Sequence, residues 1–157
     1  MKNRLKGTTL IETVLYIAIL TSILFVLVNF TLSTQEATIH TERRSQIYTN
    51  TEFITQHLDS TFSKISTIDE AQSSFDQDKG ILYLNIQNEE HNYTLSQNKL
   101  LYDNTPISGN DVIVNSFNIQ PLYNKKDIVS AVKISIQITS LRDAKVKKNI
   151  TTLYTIR

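Results

Sequence analysis

Residues 7–36 read GTTLIETVLYIAILTSILFVLVNFTLSTQE, and this stretch decides the architecture. From Thr13 to Gln35 there is no charged side chain, no Gly and no Pro. As a helix rising about 1.5 Å per residue, the run reaches across a hydrocarbon layer of about 30 Å. A single segment in lipid satisfies its backbone only as a helix, because one strand cannot close a barrel. A secretory signal peptide has a shorter apolar core, about 7–15 residues, and a small-residue cleavage site after it.

The flanks give the direction of insertion. Lys2, Arg4 and Lys6 precede the run without an acid, whereas Glu36, Glu42, Arg43 and Arg44 follow it with no net sign. Basic residues stay on the cytoplasmic side, so the N-terminus is expected inside and the C-terminal part outside. Glu12 breaks the pattern. A carboxylate at the edge of a membrane helix is costly within the core and asks for a partner.

The block Lys6-Gly7-Thr8-Thr9-Leu10-Ile11-Glu12 before an uninterrupted apolar helix resembles the class III signal of type IV pilins and pseudopilins. The resemblance implies cleavage between Gly7 and Thr8 by a membrane prepilin peptidase, usually accompanied in that family by methylation of the new amine, here on Thr8. The leader would be residues 1–7, with Lys2, Arg4 and Lys6 as its charges. It further implies that Glu12 takes the Thr8 amine of a neighbouring subunit during assembly. Such a pair attracts strongly in a low-dielectric helix bundle, where either charge alone would be penalised. Major pilins usually carry Phe where this chain has Thr8, and many carry a helix proline where it has Asn29, so the resemblance leans towards a minor subunit.

Beyond the run, residues 36–66 continue as helix. Glu36–Gln46 is polar on nearly every face, and then Ile47, Ile54, Leu58, Phe62 and Ile65 form one apolar stripe. Ile68–Lys79 is a polar loop ending at Gly80. Leu82, Leu84 and Ile86 alternate as a strand; Asn88–Asn92 is a turn leading to Tyr93 and Leu95; Gln97-Asn98 is a tight turn before Leu100–Tyr102. Pro106, Gly109 and Asn110 mark a longer loop, followed by short apolar pieces Val112–Val114 and Phe117–Ile119 before Pro121. Val132, Ile134, Ile136 and Ile138 alternate strictly with polar residues, Leu141–Lys148 is a basic turn, and Ile150–Ile156 is a final strand. The expected fold is α+β and pilin-like: a long helix whose stripe packs on an antiparallel sheet of about five to seven strands, with residues 67–157 as the extracytoplasmic β domain. The strand pattern is similar to that of J-type minor pseudopilins of type II secretion and W-type minor pilins.

Composition narrows the chemistry. The 157 residues contain no Cys and no Trp, which excludes disulfides, a thiol nucleophile and Cys-based metal sites. The formal charge of +1 argues against a general nucleic-acid binder. Without Lys2, Arg4 and Lys6 the balance becomes 13 basic against 15 acidic side chains. His40, His57 and His91 share no ligand spacing, and Asp76 and Asp78 before Gly80 do not fill a calcium-loop pattern. No phosphate-binding glycine loop, H-E-x-x-H or G-x-S-x-G occurs. Lys125-Lys126 and Lys145, Lys147, Lys148 read as solvated turns that guard sheet edges. No catalytic residue, cofactor or metal is expected. The partners that the resemblance implies are other pilins through the N-terminal helix, the prepilin peptidase, an inner-membrane assembly platform and the lipid bilayer. The filament would serve a pilus, a secretion pseudopilus or competence. The competing expectation is an uncleaved, signal-anchored surface module that acts as adhesin or receptor. With three Gly in the whole chain, each should have a reason: Gly7 the cut, Gly80 a loop end, Gly109 a turn.

Overall fold

The computed structural model describes residues 9–156. It has one long helix followed by antiparallel sheets, an α+β arrangement. Helix α1 spans Leu10–Phe62. By compactness the chain divides between Thr41 and Glu42 into two units.

The first unit is helical from Leu10. Its polar side chains are folded back on the helix. The hydroxyls of Thr21, Ser22, Thr31 and Thr34 donate to the carbonyls of Ile17, Ala18, Leu27 and Phe30, at 2.7–2.9 Å. A hydroxyl bonded to the carbonyl one turn back presents little unsatisfied polarity, so these residues fit an apolar solvent. The side chains between them are exposed all round, Leu20 at 66 % and Phe25 at 68 %. A helix apolar on every face is either buried in protein or placed in lipid, and this one is long and apolar enough to cross a membrane.

The second unit contains the rest of α1 and eight strands. Ile47, Ile54, Leu58 and Phe62 are buried along one helix face, as the stripe predicts. Full burial of each such side chain contributes about 1.5–3 kcal/mol. The helix stops at Phe62, earlier than the stripe suggests, through a tightened last turn in which Lys64 N–H bonds to the Thr61 carbonyl. Ile65 is still buried, but from the connecting segment.

The strands are β1 (Thr67–Ile68), β2 (Ile81–Ile86), β3 (Glu89–Ser96), β4 (Lys99–Tyr102), β5 (Thr105–Pro106), β6 (Val112–Tyr123), β7 (Val129–Ser140) and β8 (Asp143–Thr155). They form two sheets instead of the single expected one: β1-β2-β3-β4-β5 and β6-β7-β8, all neighbours antiparallel. Three strand boundaries differ from those expected from the sequence. The two apolar pieces around Asn115 are one strand, because a register shift between Val114 and Ser116 absorbs the extra residue. Pro121 lies inside β6, on the outward-facing register position where its missing N–H loses no ladder bond. The basic turn shrinks to Leu141-Arg142, and Asp143–Lys148 belongs to β8.

The turns explain the scarcity of glycine. Gln87-Asn88, Gln97-Asn98 and Asp103-Asn104 each have two consecutive positive φ angles, between 48° and 70°. These are two-residue hairpin turns of the type that matches strand twist, built from Asn, Asp and Gln in place of Gly. Neither described glycine has a positive φ. Gly80 is instead a point of close approach: a Cβ there would lie 2.8 Å from Ile119 Cδ1 and 3.0 Å from the Phe117 carbonyl oxygen. Its N–H donates to that same Phe117 oxygen at 2.8 Å, which ties the loop before β2 to the outer edge of β6.

Candidate functional site

Of the residues to which the sequence assigns a role, Lys2, Arg4, Lys6, Gly7 and Thr8 lie outside the described residues. Glu12 is described. It stands in the first turn of α1, where a carboxylate is favoured by the helix dipole. Its N–H and that of Thr13 both donate to the Thr9 carbonyl, at 3.0 and 3.2 Å. The Tyr16 hydroxyl, one turn on, donates to Glu12 Oε1 at 3.2 Å. One carboxylate oxygen is thus held by the helix itself. Among the described residues the other has no partner and is open to a cation. Leu10 and Ile11 beside it are at least 80 % exposed. The local arrangement is one half-satisfied carboxylate at the head of a charge-free, mostly apolar helical run.

The second unit holds polar chemistry that sequence spacing does not reveal. His57 on α1 and Tyr93 on β3 meet with Nδ1 and the phenol oxygen 2.8 Å apart. The Tyr93 hydroxyl donates to Thr61 Oγ1 at 2.8 Å, and Thr61 in turn donates to the His57 carbonyl, also at 2.8 Å. Burial keeps the Tyr93 phenol protonated well above the usual range. Tyr102 packs edge-on against His57 at 4.8 Å between ring centres and stacks on His91 at 5.4 Å. Burial raises the Tyr102 phenol, and the Asp103 charge adds to that. His91 Nδ1 lies 2.6 Å from Asp103 Oδ2. Burial also lowers the pKa of His57, against a smaller opposing pull from Asp103. At the end of α1, Tyr154 stacks on Phe62 at 4.2 Å and donates to Asp59 at 2.7 Å. These are packing contacts that join helix to sheet. Among the described residues no group of three or more His, Asp or Glu could hold a metal ion.

The two basic clusters fare differently. Lys125-Lys126 sits in the β6–β7 turn, where Asn124 Oδ1 accepts the Lys126 N–H. Lys145, Lys147 and Lys148 are in a strand, not a turn, and they share a groove of about 270 Å³ with Arg44 and Tyr48 of α1. Lys148 Nζ lies 4.6 Å from the centre of the Tyr48 ring. Asp76 and Asp78 serve the backbone: the Asp78 carbonyl accepts the Phe117 N–H and the Asp76 N–H donates to the Ile119 carbonyl.

Comparison of the chain with protein-family models, with curated proteins and with solved structures finds no match to any of them.

Proposed function

We propose that the chain is a minor pilin-like or pseudopilin-like subunit: a structural assembly protein cut between Gly7 and Thr8, held by α1 in the cytoplasmic membrane with its β-rich part outside, and built into or beneath a filament. The observation that carries the reading is the pairing of the Gly7-to-Glu12 block with a helix that is exposed and charge-free from Thr13 to Gln35. A lone anchor has no need of a carboxylate at its head, whereas an assembling helix uses one to fix axial register against a partner's amine. Tyr16 supports that role by orienting Glu12 Oε1 and leaving Oε2 free to accept. On this reading the protein performs no chemistry of its own and is a substrate of the prepilin peptidase.

Intact-mass measurement of the protein from membranes containing the peptidase tests the cleavage. A mass beginning at Thr8 supports the reading; retention of residues 1–7 overturns it in favour of a signal-anchored surface module. Co-purification with partner pilins tests Glu12 separately, and unchanged co-assembly of Glu12→Gln would remove that residue's role.

A further inference from the structure

In a three-stranded sheet two strands have an unpaired side. The outer side of β6 is occupied: Phe117 exchanges bonds with Asp78 and Gly80, Ile119 accepts from Asp76, and Val114 donates to Asn98. The edges of the other sheet, β1 and β5, are two residues each, and β5 ends in Pro106. Short strands and prolines are ordinary ways to blunt an edge. β8 is different. It is 13 residues long and pairs with β7 on one side only.

The register fixes which of its peptides face outward. Ile156 N–H donates to the Ser130 carbonyl, and from there Tyr154, Thr152, Ile150 and Lys148 fall on the positions bonded to β7. Lys147, Asn149, Thr151, Leu153 and Thr155 therefore direct both N–H and C=O away from the sheet. All five are exposed, and among the described residues their outward backbone groups meet no partner. The only register shift lies at the other end, between Thr139 and Ser140. A smooth edge of about 30 Å remains, at about 3.3 Å per residue.

Charge marks one end of this edge. Arg43 is paired with Asp143 at 3.2 Å. Arg44, Lys145, Lys147 and Lys148 have no acidic partner among the described residues. Alternation puts Lys148 on the helix side, over Tyr48, and Lys147 on the opposite face. Lysines alone would suit an edge that must stay unpaired. Arg44 comes from α1, not from the strand, and edge protection gives no reason for it to line the same groove. The remaining length, Asn149–Thr155, carries no charge to deter pairing.

We propose that the outer edge of β8 docks an extended, acidic segment of a partner protein, which adds as a fourth strand to β6-β7-β8. Its backbone bonds to the outward peptides from Lys147 to Thr155, and two consecutive carboxylates meet cations on both faces, Arg44 and Lys148 on one and Lys145 and Lys147 on the other. Main-chain pairing supplies affinity and the charges set register and direction. In antiparallel addition the acidic pair sits at the C-terminal end of the incoming strand. The site lies wholly within the second unit, on β8 and the helix beside it, and does not depend on cleavage after Gly7.

The test uses the full chain in neutral-detergent micelles and a ten-residue peptide of alternating Thr and Val ending in Glu-Glu, with a Lys-Lys twin. The expected result is binding of the Glu-Glu peptide with slowed amide exchange at Lys147, Asn149, Thr151, Leu153 and Thr155, and at least about tenfold weaker binding of the twin. Thr151→Pro, whose lost N–H faces outward and leaves the β7 ladder intact, should abolish binding. The double change Lys147→Glu with Lys148→Glu should invert the preference between the peptides. Equal binding of both peptides, or no protection of the five amides, overturns the proposal and leaves the lysines as edge guards. Protection that appears without peptide and grows with protein concentration also overturns it, by assigning the edge to a second copy of the chain.

Discussion

His57 Nδ1 donates its proton to the Tyr93 phenol oxygen. The direction follows from the neighbours: Thr61 gives its only proton to the His57 carbonyl, so it must accept from Tyr93, and Tyr93 then has no proton left for His57. The neutral imidazole is therefore fixed as the Nδ1–H tautomer. Two residues one turn apart on α1 and one on β3 close a ring of three hydrogen bonds, which joins the helix to the five-stranded sheet with Tyr93 and Thr61 buried and His57 half-buried.

Removing the phenol oxygen should expose the value of that ring. Tyr93 is fully buried, so Tyr93→Phe keeps the packing and leaves His57 Nδ1–H and the Thr61 acceptor without partners. The expected loss is about 1–3 kcal/mol. Chemical denaturation of both chains, followed by near-ultraviolet circular dichroism, measures it; a loss below about 0.5 kcal/mol, the low end for one net hydrogen bond, would mean that the ring contributes little.

Acid should weaken the second unit through His57. Burial lowers its pKa in the fold, so between that value and the ordinary one near 6.5 the unfolded chain binds more protons than the folded one. Stability from this group is fully present above about pH 6.5 and declines as pH falls through it, levelling off below the folded pKa. Histidine resonances followed by NMR should show His57 titrating below the ordinary value, and His57→Gln should flatten this part of the stability profile. A His57 midpoint at or above the ordinary value would contradict the burial argument.

Alkali should act with the opposite sign through tyrosine. Tyr93, Tyr102 and Tyr154 are all raised, chiefly by burial, with the Asp59 hydrogen bond and charge adding at Tyr154. Above about pH 10 an unfolded tyrosine ionises while these three stay protonated, so stability falls as pH rises. Tyrosine titration followed by NMR should show Tyr93, Tyr102 and Tyr154 ionising later in the folded chain than in the unfolded one. Ionisation of these three at the same pH in both states would count against it.

Gly80 should resist any side chain. Gly80→Ala drives Cβ towards Ile119 Cδ1 and the Phe117 carbonyl, and the carbonyl cannot turn away without breaking its bond to the Gly80 N–H. Overpacking of this kind costs about 1–3 kcal/mol. Denaturation midpoints measure it. Gly80→Ala with no loss would show that the β6 edge is looser than its bonds suggest.

The fold is partly legible in the chain because its signals are local. The charge-free run, the stripe Ile47–Ile54–Leu58–Phe62 and the alternation from Val132 to Ile138 are periodicities of 3.6 and 2, set by backbone geometry within a few residues. The same holds for Gln97-Asn98 as a turn. The division into two sheets is not local. It depends on the outer side of β6 taking its bonds from residues 76–80 and 98 in place of a full strand, and no pattern within β6 specifies that. The ends of elements also moved, since the bulge at Asn115 and the last turn at Phe62 are settled by what lies across from them.

For the sites the same boundary applies. The sequence by itself determined that Glu12 is the single carboxylate at the head of an apolar helix, because position along one helix is covalent information. It also determined where basic residues fall along the chain. Only the tertiary structure decided that Lys145, Lys147 and Lys148 share a groove with Arg44 and lie on an unpaired strand edge, and that His57 closes a ring with Tyr93. Those relations join residues 36 to 104 positions apart, and such separations carry no period; they are fixed when burial of the common core brings α1 against the sheets.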